Sequence, residues 1–130
     1  MFHVRFRQGA AVQLLMLANA VFFASSALLH LGVPLGPLSE SRIVAAAAVE
    51  SICALGLIAG VAALVYAPRG GMLAAFVANV VALAGVATGV IAVALGAGER
   101  TLSNDLGHLI MTLLALAALW LLVKNRFREE

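Results

Sequence analysis

Four long apolar runs, separated by short polar joints, make up nearly all of this chain: about 9–33, 42–66, 72–97 and 102–124. Runs of ~22–26 residues reach ~33–39 Å as helices, enough to cross a ~30 Å hydrocarbon core with some tilt. Backbone polar groups cannot stay unpaired in lipid, so the runs are predicted to be helices rather than strands. Pro34-Leu35-Gly36-Pro37, Pro68-Arg69-Gly70-Gly71 and Gly98-Glu99-Arg100 supply the breaks. Ser39, Glu40 and Ser41 are predicted to cap the second helix, and Thr101, Ser103 and Asn104 the fourth. Joints this short force neighbouring spans to run antiparallel. The expected fold is all-α: a single domain over 1–130, an integral membrane four-transmembrane-helix up-down bundle.

Composition agrees with a bilayer as solvent. Hydrophobic residues are 64% of the chain and charged residues 11%, against roughly half and a quarter in soluble domains. The net charge of +2 does not point to nucleic acid, because the basic residues sit at span ends rather than on one face. Arg5, Arg7, Arg69, Lys124, Arg126 and Arg128 fall on one side of the bundle, Arg42 and Arg100 on the other. By the positive-inside rule both termini are then cytoplasmic in a multi-pass protein of the cytoplasmic (inner) membrane. Arg5 and Arg7 before an apolar stretch imitate a signal peptide, but the stretch is too long for one and is expected to stay as the first span. Cys53, the one cysteine, reads as a small buried apolar side chain.

A few polar residues lie inside the runs, and the predicted orientation turns their positions into depths. His30 and His108 come out ~4–5 Å below the outer boundary, and Glu50 ~12 Å, with Thr88 at about that depth too. Asn104, His108 and Thr112 form one stripe on the fourth helix; Asn19, Ser26 and His30 share a face of the first. Polar and small residues share faces on all four helices, which predicts an interior polar in its outer half. Gly56 and Gly60, and Gly85 and Gly89, have the spacing that lets helices approach closely. The alternative for these glycines is clearance for a flat cofactor.

Several kinds of chemistry fit these residues. A carboxyl as deep as Glu50 must be protonated, paired or hydrated. Its expected partners are Thr88, Ser51 or a backbone carbonyl, and its sharper role is to carry a proton or bind a cation. The two histidines admit an interfacial structural role, or a b-type haem held between His30 and His108 with Arg42 or Arg100 on its propionates. A zinc or copper ion on His30, Asp105 and His108 is a further alternative, with Glu50 too deep to join it. The chain has no phosphate loop, nucleophile elbow or His-Glu-x-x-His pattern, which points away from an enzyme.

Phe22-Phe23-Ala24-Ser25-Ser26-Ala27-Leu28-Leu29-His30-Leu31, and the run Glu50-Ser51-Ile52-Cys53-Ala54-Leu55-Gly56-Leu57, resemble the first two spans of the DoxX-like family of small four-helix membrane proteins. His30 stands where that family more often has lysine, and Ser26 where it has glycine. The resemblance implies a small accessory subunit of a quinone-linked or respiratory electron-transport complex in the bacterial inner membrane. It also implies association with other membrane subunits or as a homo-oligomer, and of the site residues it covers only Glu50 and the position of His30. With His108, which the resemblance does not reach, these are the expected contacts of a cofactor such as quinone. Two alternatives stay beside it: a haem- or metal-binding protein using His30 and His108, and a small transporter with Glu50 as its coupling carboxyl.

Overall fold

A computed structural model describes residues 2–67 and 70–126, with side-chain surroundings given for 9–67 and 70–125. Four helices account for most of them: α1 Phe2–His30, α2 Val44–Tyr66, α3 Gly71–Ala94 and α4 Leu102–Arg126. Each contains a stretch long and apolar enough to cross a membrane, the first being Gly9–His30. This is the all-α, four-span architecture that the apolar runs predict, and it describes a multi-pass membrane protein. Pro68, Arg69 and Arg128, used in the sequence reading, lie outside the described residues.

Cross-helix neighbours fix the topology. His30 meets Glu50, whereas lower on α1 the Met16 side chain lies against Gly60. Rising numbers on α2 thus meet falling numbers on α1. Along α2 and α3, Cys53 meets Gly85, Gly60 meets Ala78, and Ala63 meets Gly71, the same antiparallel register. Helix α4 packs between α3 and α1, while α1 and α3 lie at opposite corners. Connections 31–43 and 95–101 therefore share one end of the bundle, the loop end.

Glycine ends both helices that arrive there. At the end of α1, Gly32 has φ +87°. Its N–H donates to the Leu29 carbonyl (2.9 Å), and the Val33 N–H donates to that of Leu28 (3.0 Å). Gly96, φ +84°, does the same for α3: it donates to Val93 (3.0 Å), and Ala97 donates to Ala92 (2.9 Å). These paired bonds satisfy carbonyls that a helix end leaves open, and the left-handed residue within them favours glycine. The spans accordingly stop at His30 and Ala94, short of the expected Val33 and Ala97. Pro34 and Pro37 follow the stop of α1 rather than make it.

The predicted cap of α2 is not formed. Ile43 occupies that position with no side-chain cap, and its N–H donates to the His30 carbonyl at 2.9 Å. Glu40 caps across the bundle instead. Its Oε1 accepts from the hydroxyls of Thr101 and Ser103, both at 2.8 Å, placing an acid at the start of α4, where a helix favours one. Thr101 is the N-cap of α4, its Oγ1 accepting from the Asn104 N–H at 3.1 Å.

The core is built largely from small side chains. Ala20, Ala54, Ala75, Ala78, Ala82 and Ala118 are buried with Val12, Met16, Phe23, Leu57 and Leu122. Leu, Val and Ile elsewhere, such as Leu14, Leu55 and Leu73, face outward. Close backbone approach, rather than bulky interdigitation, is how helices associate when lipid is as apolar as leucine. At Gly60 a Cβ would lie 2.7 Å from the Met16 terminal methyl and 3.1 Å from Ala78 Cβ. Gly56 has open space at the same test, so of that predicted pair only Gly60 makes a close contact.

Candidate functional site: a histidine–glutamate pair on an apolar cavity

Four side chains other than hydrophobic ones are buried among the described residues: Asn19, His30, Glu50 and Asn79. Two of them form a pair. His30 Nδ1 lies 2.9 Å from Glu50 Oε2 and 3.0 Å from Oε1. Thr88 and Ser51, the partners expected for Glu50, instead donate to their own helices, at Ala84 (2.9 Å) and Ala47 (2.7 Å).

The backbone explains why residues predicted at different depths meet. Helical side chains lean toward the N-terminus of their own helix. Helix α1 starts at the far end of the bundle, so His30 leans down from the loop end. Helix α2 starts at the loop end, so Glu50 leans up. The hydrogen bond from Ile43 to the His30 carbonyl then draws the start of α2 against the end of α1. Starting at Val44 rather than Arg42 also leaves Glu50 only six residues inside its helix, ~9 Å along the axis.

Both residues line a cavity of about 200 Å³ among the four helices. Its walls are mostly apolar, with Phe23, Val86 and Met111 at the deep end and Ala46, Val49 and Ala92 along the sides. Glu40, Ser41 and Glu99 line it at the loop end, and Ser41 and Glu99 are exposed, so it reaches the surface there. His108 and Asn104 contribute from α4, and Thr88 from α3. Arg42 and Arg100 are not among its walls.

Gly89 sets the position of His108. A Cβ there would lie 2.6 Å from His108 Nε2, and one at Gly85 would lie 2.5 Å from Cys53 Sγ. The space left by these glycines is therefore filled by an imidazole and a thiol, not kept clear for a flat cofactor.

The structure brings together part of the predicted set. His30, Glu50, His108, Thr88 and Asn104 share the cavity. Ser26 does not line it. Thr112 donates to the His108 carbonyl of its own helix at 2.7 Å, and Asn19 reaches across to α4, its Nδ2 donating to the Met111 carbonyl at 3.2 Å. Asp105 is exposed and pairs with Arg100 at 3.1 Å. No group of three His, Cys, Asp or Glu among the described residues is placed to hold a metal ion, so His30, Asp105 and His108 do not form the predicted zinc or copper site. The haem geometry is also incomplete. The two histidines share a cavity, but His108 turns Nε2 against Gly89, Arg100 is engaged elsewhere, and the cavity is smaller than the ~300–1,000 Å³ typical of ligand pockets. Its size suits a single ring better than a macrocycle.

Chemically, the pair is a polarised anchor in an apolar wall. A lone carboxylate there would be costly, while an imidazolium–carboxylate pair cancels the net charge. With Nδ1 taken by Glu50, the histidine's other nitrogen, Nε2, has no hydrogen-bond partner among the described residues. It is the atom left to meet a ligand. Nothing in the sequence singles out the cavity residues Glu40, Phe23 and Met111 as parts of a site, and the buried Asn79 lies outside the cavity wall. Asn79 was visible in the sequence as an amide in the middle of an apolar span.

Fold and site define a multi-pass membrane bundle with a cavity reaching one end and a buried acid–histidine pair in its wall. No family model, curated protein or solved structure matches the chain.

Proposed function

We propose that this protein is a small accessory subunit of a quinone-linked membrane redox complex, and that its cavity takes a quinone ring with His30 as the polar anchor. The observation that carries this reading is the His30–Glu50 pair at 2.9 Å on the wall of a ring-sized apolar cavity. A quinone offers only acceptor oxygens and a flat apolar body. Protonated His30, held by Glu50 at Nδ1, donates from Nε2 to one such oxygen, while Ala46, Val49 and Ala92 cover the ring. With both termini cytoplasmic, the ligand enters from the outer leaflet. The DoxX-like resemblance of the first two spans points the same way.

Titration of the detergent-solubilised protein with a short-chain ubiquinone or menaquinone analogue tests this. Saturable binding is expected, weakened roughly 10- to 100-fold in Glu50→Gln, the range for losing a charge-assisted hydrogen bond of about 1.5–3 kcal/mol. Absence of binding to the folded wild type rejects the reading.

One feature favours a second reading, a small transporter with Glu50 as its coupling carboxyl. Glu40 and Glu99 line the cavity near its opening, and no lysine or arginine shares the wall with them, a charge pattern suited to a lipophilic cation. Saturable binding of tetraphenylphosphonium that quinone does not displace, with proton release lost in Glu50→Gln, would select it.

A further inference from the structure

Below the cavity floor lie two buried amides that the proposed function does not use. Asn19 on α1 and Asn79 on α3 are both fully buried, at 0% exposure. Each is fixed by a backbone carbonyl: Asn19 Nδ2 donates to Met111 (3.2 Å) and Asn79 Nδ2 to Ala75 (2.8 Å). Turning either amide over would set its oxygen against a carbonyl oxygen, so the orientation is determined. The consequence is that Asn19 Oδ1 and Asn79 Oδ1 are buried without a hydrogen-bond donor among the described residues. A buried polar atom left so costs about 1–3 kcal/mol, and native structures rarely leave one unsatisfied.

The two oxygens belong to one level of the bundle. Gly60 on α2 touches both Met16 of α1 and Ala78 of α3, which puts those residues side by side. Asn19 is three residues above Met16 and Asn79 one above Ala78, a height difference of ~3 Å. Helices α1 and α3 occupy opposite corners, and both amides are buried in the bundle. Phe23 and Met111, at the cavity floor, are one turn above Asn19 on α1 and its own hydrogen-bond partner on α4. Below, Val12, Met16, Ala75, Ala118 and Leu122 are buried and apolar.

We infer that Asn19 and Asn79 form an internal water site, in which bound water donates to the two Oδ1 atoms. The occupant must donate hydrogen bonds and needs several polar partners, and water meets both demands. This site extends the hydrated part of the bundle below the cavity floor and ends at the apolar plug, so it is reached from the loop end alone. It does not depend on which ligand the cavity takes.

Water-to-protein magnetisation transfer by solid-state NMR, on bilayer-embedded, uniformly ¹⁵N-labelled protein, tests the assignment. The side-chain amides of Asn19 and Asn79 are expected to receive magnetisation from water, with Leu57 and Ala118 as dry references. In Asn79→Leu, whose lost side-chain bond lies within its own helix, transfer at Asn19 should fall at least twofold. Transfer at both wild-type amides no faster than at the references overturns the proposal. So does Asn79→Leu with unchanged transfer at Asn19, since the water is then not shared. Should that variant not fold, the wild-type comparison decides alone.

Discussion

The two halves of this bundle solve the same problem, holding helices together in lipid, by different means. The half toward the termini is apolar and tight, with Gly60, Ala75, Ala78 and Met16 in direct contact. The half toward the loop end has a cavity, an acid–histidine pair and a hydroxyl–carboxylate tie between its connections. Packing in the first half makes shape specific. Polar bonding in the second leaves room for something else to enter. Small residues serve both, but Gly60 admits a neighbouring methyl group, whereas Gly89 admits an imidazole that lines the cavity.

The largest effect expected is on the polar half. Glu50→Leu leaves His30 buried without the carboxylate that holds its Nδ1 and should cost about 3 kcal/mol, the lower end for breaking a buried pair. The double change His30→Leu with Glu50→Leu should recover most of it. Reversible unfolding in mixed micelles measures both, and a double variant no more stable than the single one would mean that the pair does not act as a unit. In the apolar half, Gly60→Val drives a branched side chain into Met16 and Ala78 and should cost about 2 kcal/mol by overpacking. The same unfolding assay reads it, and full stability would show that the helices are free to separate there. The smallest effect is expected at the loop end. Glu40→Ala removes two hydroxyl donors' shared acceptor, worth about 1 kcal/mol, and should speed amide exchange over 38–43. Unchanged exchange would show that the tie does not hold the connection.

Much of this contrast was legible in the sequence. Four apolar runs gave the spans, and the clustering of polar residues toward one end predicted which half would be polar. The ends of α1 and α3 were less accessible, because Gly32 and Gly96 stop their helices through left-handed backbone while the more conspicuous Pro34 and Pro37 follow the stop. The His30–Glu50 pair escaped a reading of depth along the axis, since that measure follows Cα atoms and ignores the opposed lean of side chains on antiparallel helices. Glu40 could be recognised as a capping residue but not as the cap of a helix sixty residues away. Nor does spacing alone reveal what fills the space beside a glycine. Gly85 and Gly89 look alike in the sequence, yet one meets a thiol and the other an imidazole.

His30 is fastened at two points that face different worlds. Its ring holds Glu50 in the membrane interior, and its carbonyl holds Ile43 at the end of the α1–α2 connection. Because one residue carries both bonds, any shift of the imidazole is passed directly to the strap above it, and the start of α2 cannot move without disturbing the buried pair.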